Sequence, residues 1–170
     1  MLPSRVFLQK KVMMIRKVRN ASTWYSDLVL SLSEIERVTG FEKGFPWAEI
    51  KMDGTWMVDP FHDDQAVVLR VKDKGLVVIS GCAHAGIINT INYARKVTGI
   101  RKVHAVMGGF HLTGPVFETI MEPTLEEVKR IEPDYIIPMH CTGWKAINRF
   151  AEEMPEQFFL NSVGTTYLFE

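Results

Sequence analysis

Cysteine is scarce in this chain of 170 residues: there are two, Cys82 and Cys141, and they form no C-x-x-C pair. A disulfide framework needs more cysteines in a smaller chain, so a hydrophobic core has to hold this fold. Net charge is also missing. Twenty basic residues balance twenty acidic ones, which argues against a nucleic-acid or anionic-membrane partner. Long apolar runs are absent too. The longest are strand-sized, well below the roughly 20 residues of a membrane-spanning helix. Acids are absent before Asp27, while Arg5, Lys10, Lys11, Arg16, Lys17 and Arg19 fall in the first 20 residues. That stretch is poor in serine and has no clean apolar core or small-residue cleavage site, so it does not read as a targeting segment. The expectation is a soluble domain in a cytoplasmic, reducing environment.

What is present is an ordinary globular composition, 46% hydrophobic and 24% charged, which excludes wholesale disorder. The pattern changes near residue 60. Before it, Gly40, Gly44, Pro46, Gly54 and Pro60 punctuate short strands and loops, and Trp24, Trp47 and Trp56 read as anchors of a small satellite core. Beyond it, Ala66–Val71 and Leu76–Ser80 form a hairpin across Lys72-Asp73-Lys74-Gly75. A helix then carries Ile87, Ile91 and Ala94 on one face and stops at Gly99. Val103–Met107 reads as a strand. Thr124 and Glu127 have the spacing of a capping box, opening a helix that buries Leu125, Val128 and Ile131. Asp134–Met139 is the next strand. A helix with Trp144, Ile147 and Phe150 on one side follows, and Val163–Phe169 reads as a closing strand. Strands alternating with helices give an α/β sheet with helices packed over it.

The histidines are His62, His84, His104, His111 and His140. Three of them, His84, His111 and His140, follow the C-terminal end of an apolar strand in a loop that carries glycine. In an open α/β sheet such strand ends lie side by side, and ligands bind in the crevice there. Converging neutral imidazoles suit a transition-metal ion. His104 lies within a strand and reads as structural, whereas His62, beside Asp63 and Asp64, reads as a solvated loop residue. Cys82 is open between thiolate ligand and small apolar residue, and Cys141 reads as the latter. Cys141-Thr142-Gly143-Trp144-Lys145 places a helix N-terminus directly after His140. Thr142, Gly143 and Lys145 are therefore candidates for binding an anionic substrate group.

Four motifs, in order, closely resemble one branch of the metallo-β-lactamase superfamily: Asp63-Asp64-Gln65-Ala66, Gly81-Cys82-Ala83-His84-Ala85-Gly86-Ile87, Gly108-Gly109-Phe110-His111-Leu112 and His140-Cys141-Thr142-Gly143. Glu34–Pro46, with Arg37, Thr39 and Glu42, is similar to the segment that leads into them. Members of the branch are labelled metal-dependent hydrolases. Some are described as the dihydropteroate-synthase-like enzyme that joins a dihydropterin to a ribofuranosyl-aminobenzene phosphate. The resemblance covers residues 28–170 and implies the C-terminal half of an αβ/βα sandwich, behind a divergent basic segment at 1–27. It implies a divalent metal, zinc foremost, as one or two ions, with His84 and His140 as ligands. His111 is a further ligand or a substrate-orienting residue. The loop that in many members supplies an aspartate bridging two metals here offers Cys82 and His84, with His84 preferred.

The superfamily's H-x-H-x-D-H motif is absent: no two histidines of this chain are separated by one residue. Two function classes follow. The first is a metal-dependent hydrolase or pterin-related synthase acting on a phosphorylated or pterin-type small molecule, with Asp64 as general base or ligand orienter. Its site would be incomplete, to be finished by a homo-oligomer or a separate N-terminal half. The second is a non-catalytic fragment or interaction domain that keeps the sheet without the chemistry.

Overall fold

The computed structural model describes residues 22–24 and 28–169. The basic stretch at 1–20 lies outside them. Eight strands are formed among the described residues: β1 (Ser22–Trp24), β2 (Val29–Ser33), β3 (Glu49–Met52), β4 (Thr55–Val58), β5 (Gln65–Val71), β6 (Gly75–Ser80), β7 (Val103–Gly109) and β8 (Tyr135–Met139). The helices are α1 (Ile87–Thr98), α2 (Met121–Ile131) and α3 (Trp144–Glu153). Six strands make one sheet in the order β1-β2-β5-β6-β7-β8, and β3 and β4 pair as a separate hairpin. The sheet is antiparallel from β1 to β6 and parallel from β6 to β8.

The parallel part positions the site. In a parallel pair the chain must cross back over the sheet, and α1 and α2 supply those crossovers. Register aligns Ser80 with Gly108 and Gly108 with Pro138, so β6, β7 and β8 end at one level. The loops that follow them, beginning at Gly81, Phe110 and His140, therefore sit side by side.

One sheet face packs under the helices. Leu32, Val68, Val78, Val106 and Ile136 meet Ile87, Ile91, Leu125 and Phe150 in a continuous core. The alternate residues point the other way, because successive side chains of a strand leave opposite faces. Val67 pairs with Ile79, and Ile79 with Met107, so these apolar side chains form a row across the second face. Val67 is 38% exposed and the other two are half-buried.

Several expectations from sequence need correction. Val163–Phe169 forms no strand. The chain pairs with β8 only at Phe158, through Ile136 N–H to Gln157 O and Phe159 N–H to Ile136 O. It then turns at Ser162–Thr165 and packs Phe169 on His104 and Tyr135. Thr124 does not open a helix. A 3₁₀ turn at Phe117–Ile120 leads into α2 at Met121, and the Thr124 hydroxyl donates back to Ile120 O at 2.8 Å. Pro123 is tolerated there because first-turn N–H groups lack helical partners anyway. Trp56 is 64% exposed and anchors no core, Trp47 is 58% exposed and only flanks Phe45 and Phe117, and the side chain of Trp24 lies outside the described residues. α3 buries Ala146 and Phe150 and leaves Trp144 69% exposed. Of the expected stripe Phe150 is buried and Ile147 half-buried, while Ala146 is buried in place of Trp144.

Candidate metal centre at the parallel strand ends

The loop after β6 turns at Ala83, whose φ of 52° is left-handed. Cys82 and His84 consequently reach different neighbours. The Cys82 Sγ lies 3.2 Å from His140 Nε2. The His84 ring instead joins a cluster with Phe45, Phe61 and His111, at centroid distances of 5.0, 5.2 and 4.9 Å.

His111 also takes a left-handed φ, 46°. Non-glycine residues in this region cost backbone energy that the surrounding structure must impose, and such strain gathers at functional sites. The His111 ring stands edge-on to Phe117 and Phe45, at 4.6 and 4.8 Å. Its Nδ1 is buried without a hydrogen-bond partner. Burial lowers its pKa, the charges of His84 and His140 lower it further, and Asp64 pulls the other way. A neutral imidazole with a free nitrogen is the form that binds a metal.

His140, Cys141 and Thr142 form a 3₁₀ turn directly after β8. Cys82, His140 and Cys141 present donor atoms all within 4.8 Å of one another, a compact trio among the described residues. Burial pushes the Cys141 thiol up to about 11. Gly109 lies beneath the trio: a Cβ there would fall 2.5 Å from His140 Nε2 and 2.6 Å from Cys141 Sγ. Any other residue would displace both donors.

Braces hold the three loops together. Gly109 N–H donates to Gly81 O at 2.9 Å, and the Ser80 hydroxyl to Gly109 O at 2.9 Å. Phe110 N–H donates to the buried Thr142 hydroxyl at 3.1 Å. Asp64 accepts the Ala85 N–H at 2.7 Å and so pins the loop that carries His84. Arg37 reaches His84 O at 3.1 Å.

Glu42 is the functional neighbour to which the sequence assigned no role. It is buried, and its two carboxylate oxygens accept from Ile88 N–H at 2.9 Å and Asn89 N–H at 2.8 Å. It thus caps α1 from outside, since the cap residue Gly86 has no side chain. A Cβ on Gly86 would collide with that carboxylate. Burial raises the Glu42 pKa to about 7, against the lowering effect of the two backbone N–H groups. The readable signal was a helix start without a capping side chain of its own.

The remaining candidates are placed as follows. Lys145 is exposed and pairs with Glu118 at 2.8 Å. Thr142 is spent on Phe110, and Gly143, not Thr142, is the cap residue of α3. His62 and Asp63 are exposed. His104 is buried against Asp134 at 2.6 Å, the structural role expected of it. The aromatic wall of Phe45, Phe61 and Phe117 had no signature in sequence, because isolated phenylalanines in loops read as core. The donor chemistry of the trio, the unpaired His111 nitrogen and the space kept by Gly109 together fit a metal ion.

No family model matches the chain. It is 37% identical over 132 residues to the 7,8-dihydropterin-6-methyl-4-(β-D-ribofuranosyl)-aminobenzene-5′-phosphate synthase of Methanocaldococcus jannaschii, covering 76% of this chain and 45% of that protein. It is 36% identical over 100 residues to an uncharacterized protein of the same organism, covering 59% of this chain and 35% of that one. In structure it resembles a crystallised metal-dependent hydrolase of the β-lactamase superfamily, with a TM-score of 0.72 and 25% identity, over 87% of this chain and 56% of that one. The chain thus spans less than half the length of the curated relatives it matches. No helix among the described residues is long and apolar enough to cross a membrane.

Proposed function

The chain carries part of the metallo-β-lactamase-superfamily fold, and from that premise we propose that it supplies one side of a metal-dependent active site acting on a phosphorylated or pterin-type small molecule. The observation that carries this reading is the placing of two donor groups at the level ends of three parallel strands, the compact Cys82, His140 and Cys141 trio and the neighbouring His84–His111 pair, with His111 Nδ1 buried and unpaired.

His140 and Cys82 would hold one ion, with the His84–His111 pair beside them as ligands of a second ion or as substrate contacts. Zinc is the first candidate, and when bound it would polarise a phosphoryl or carbonyl oxygen and acidify bound water. The residues of this chain do the positioning. Asp64 fixes the His84 loop through Ala85, and its charge favours protonation of His111. Phe45, Phe61 and Phe117 form an apolar wall that excludes water behind the histidines. Trp47 stands exposed against Phe45 and Phe117, at 5.7 and 5.8 Å, where a flat heteroaromatic ring such as a pterin would stack. Lys145 would meet a phosphate at the start of α3 by leaving Glu118, as exposed ion pairs readily do.

The uncovered row Val67–Ile79–Met107 favours a second reading for the assembled protein. A further polypeptide layer, from a second copy or a separate half, would cover this face and add the ligands that the H-x-H-x-D-H motif supplies elsewhere. Without such a layer the chain would serve as a binding domain and not as an enzyme.

Native mass spectrometry after zinc reconstitution tests both readings. One or two zinc ions per chain, lost in the His84→Ala/His140→Ala double variant, is the expected result. A chain that stays metal-free at saturating zinc overturns the metalloenzyme reading, and the same spectrum gives the assembly state.

A further inference from the structure

We propose that Cys141 is a metal ligand and that Cys82, His140 and Cys141 together make a thiolate-rich site selective for soft divalent ions, separate in its donors from the His84–His111 pair. The inference deepens the proposed metal centre and rests on that reading.

The geometry carries it. Two of the donors belong to loops 59 residues apart in sequence, yet all three donor atoms fit within 4.8 Å. On a tetrahedral zinc ion a thiolate and an imidazole nitrogen stand about 3.6 Å apart, and two thiolates about 3.8 Å, from bonds of about 2.3 and 2.0 Å. The observed Cys82 Sγ to His140 Nε2 distance of 3.2 Å lies close to the first of these. An ion would draw the remaining donor pairs, no more than 4.8 Å apart, to these spacings.

Neither sulfur is committed elsewhere. Both cysteines are free thiols, and the Cys141 thiol donates to Cys82 O across a long 3.6 Å. A sulfur this far from a carbonyl gains little and can turn to an ion at small cost. Gly109 adds an independent observation, since the space occupied by His140 Nε2 and Cys141 Sγ exists because no Cβ is there. A half-buried Cys141 kept only as an apolar filler would not need its sulfur beside an imidazole nitrogen. Cys82 and Cys141 are half-buried and His140 is exposed, so the trio is closed on the protein side and open on the other. Three protein ligands with a free fourth position is the pattern of a catalytic, not a structural, zinc site.

The donor set also dictates selectivity. Two thiolates neutralise a divalent ion, each thiol releasing its proton to solvent on binding. Sulfur donors favour zinc, cobalt and cadmium over magnesium or manganese, which prefer oxygen. His84 and His111, packed edge-on within the phenylalanine wall, bring imidazole alone.

Cobalt(II) titration of the reduced chain is the test, because sulfur-to-cobalt charge transfer absorbs in the near ultraviolet and imidazole ligation does not. The expected result is a near-ultraviolet band that falls to about half in Cys82→Ser and in Cys141→Ser, vanishes in the double variant and persists in His84→Ala. A hundredfold excess of magnesium should leave it unchanged. Far-ultraviolet circular dichroism checks that each variant is folded. Zinc protection of both thiols from alkylation, counted by mass in the unsubstituted chain, reads the same ligation without mutation. Cobalt binding without the band, or a band indifferent to Cys141→Ser with Cys141 still alkylated, overturns the thiolate site and leaves an imidazole metal centre standing. No metal binding at all overturns the proposed function with it.

Discussion

Replacing Glu42 by glutamine isolates an electrostatic cost built into the base of the site. Glu42 is 3% exposed, and burial pushes its carboxyl pKa up to about 7, well above the usual carboxylate range. The folded state therefore holds this proton more tightly than the unfolded chain does. The resulting stability is fully present below the unfolded pKa and is lost as pH rises through the folded one. Between pH 5.5 and pH 8 the loss amounts to about 2 kcal/mol, taking the linkage integral over that window. For a chain of this size that is a fall of about 4–8 °C in melting temperature. Glutamine cannot ionise, so Glu42→Gln should lack this component of the pH dependence while keeping one acceptor for the Ile88 and Asn89 amides. Calorimetry of both proteins at the two pH values gives the comparison, and the difference in slope cancels the other titrating groups. Equal slopes would show that the Glu42 carboxyl is not held protonated at acid pH by its burial, and the argument from burial would fail.

Other consequences are as direct. Gly109→Ala should leave the fold intact and weaken zinc affinity at least tenfold, measured by calorimetric titration, because its Cβ enters the space of His140 and Cys141. Thr142→Val should cost about 1–3 kcal/mol in denaturant unfolding by leaving the buried Phe110 N–H without an acceptor. Trp47→Ala should abolish the fluorescence quenching that a reduced pterin produces, and unchanged quenching would show that the ring binds elsewhere.

The parallel core was legible because its signals are local and agree with one another. Apolar runs of strand length, Gly99 after a periodic stripe and the charged turn before Gly75 each specify one element, and β5, β6, α1, β7 and β8 follow them closely. The elements misread were those set by tertiary partners. Residues 163–169 have strand-forming side chains but leave the edge of β8 after Phe159, where Phe169 finds His104 and Tyr135. The capping-box spacing at Thr124 was overridden by a 3₁₀ turn four residues earlier. In the site, histidine position was readable from strand ends. The proximity of Cys141 to Cys82 was not, because it depends on two loops meeting over a glycine of a third strand.

The braces of the site and the exposure of the sheet separate two properties of this chain. Every donor comes from the loops after β6, β7 and β8, and each loop is tied to another within the chain, by Gly109 to Gly81, Phe110 to Thr142 and Asp64 to Ala85. Those ties are made entirely within this chain and require nothing from a second layer. The row Val67–Ile79–Met107, by contrast, gains from burial only when another surface arrives. Metal affinity should accordingly be measurable in this chain alone, whatever comes to cover the open face. Substitutions on that face, such as Val67→Lys, should therefore change assembly and leave the cobalt spectrum untouched.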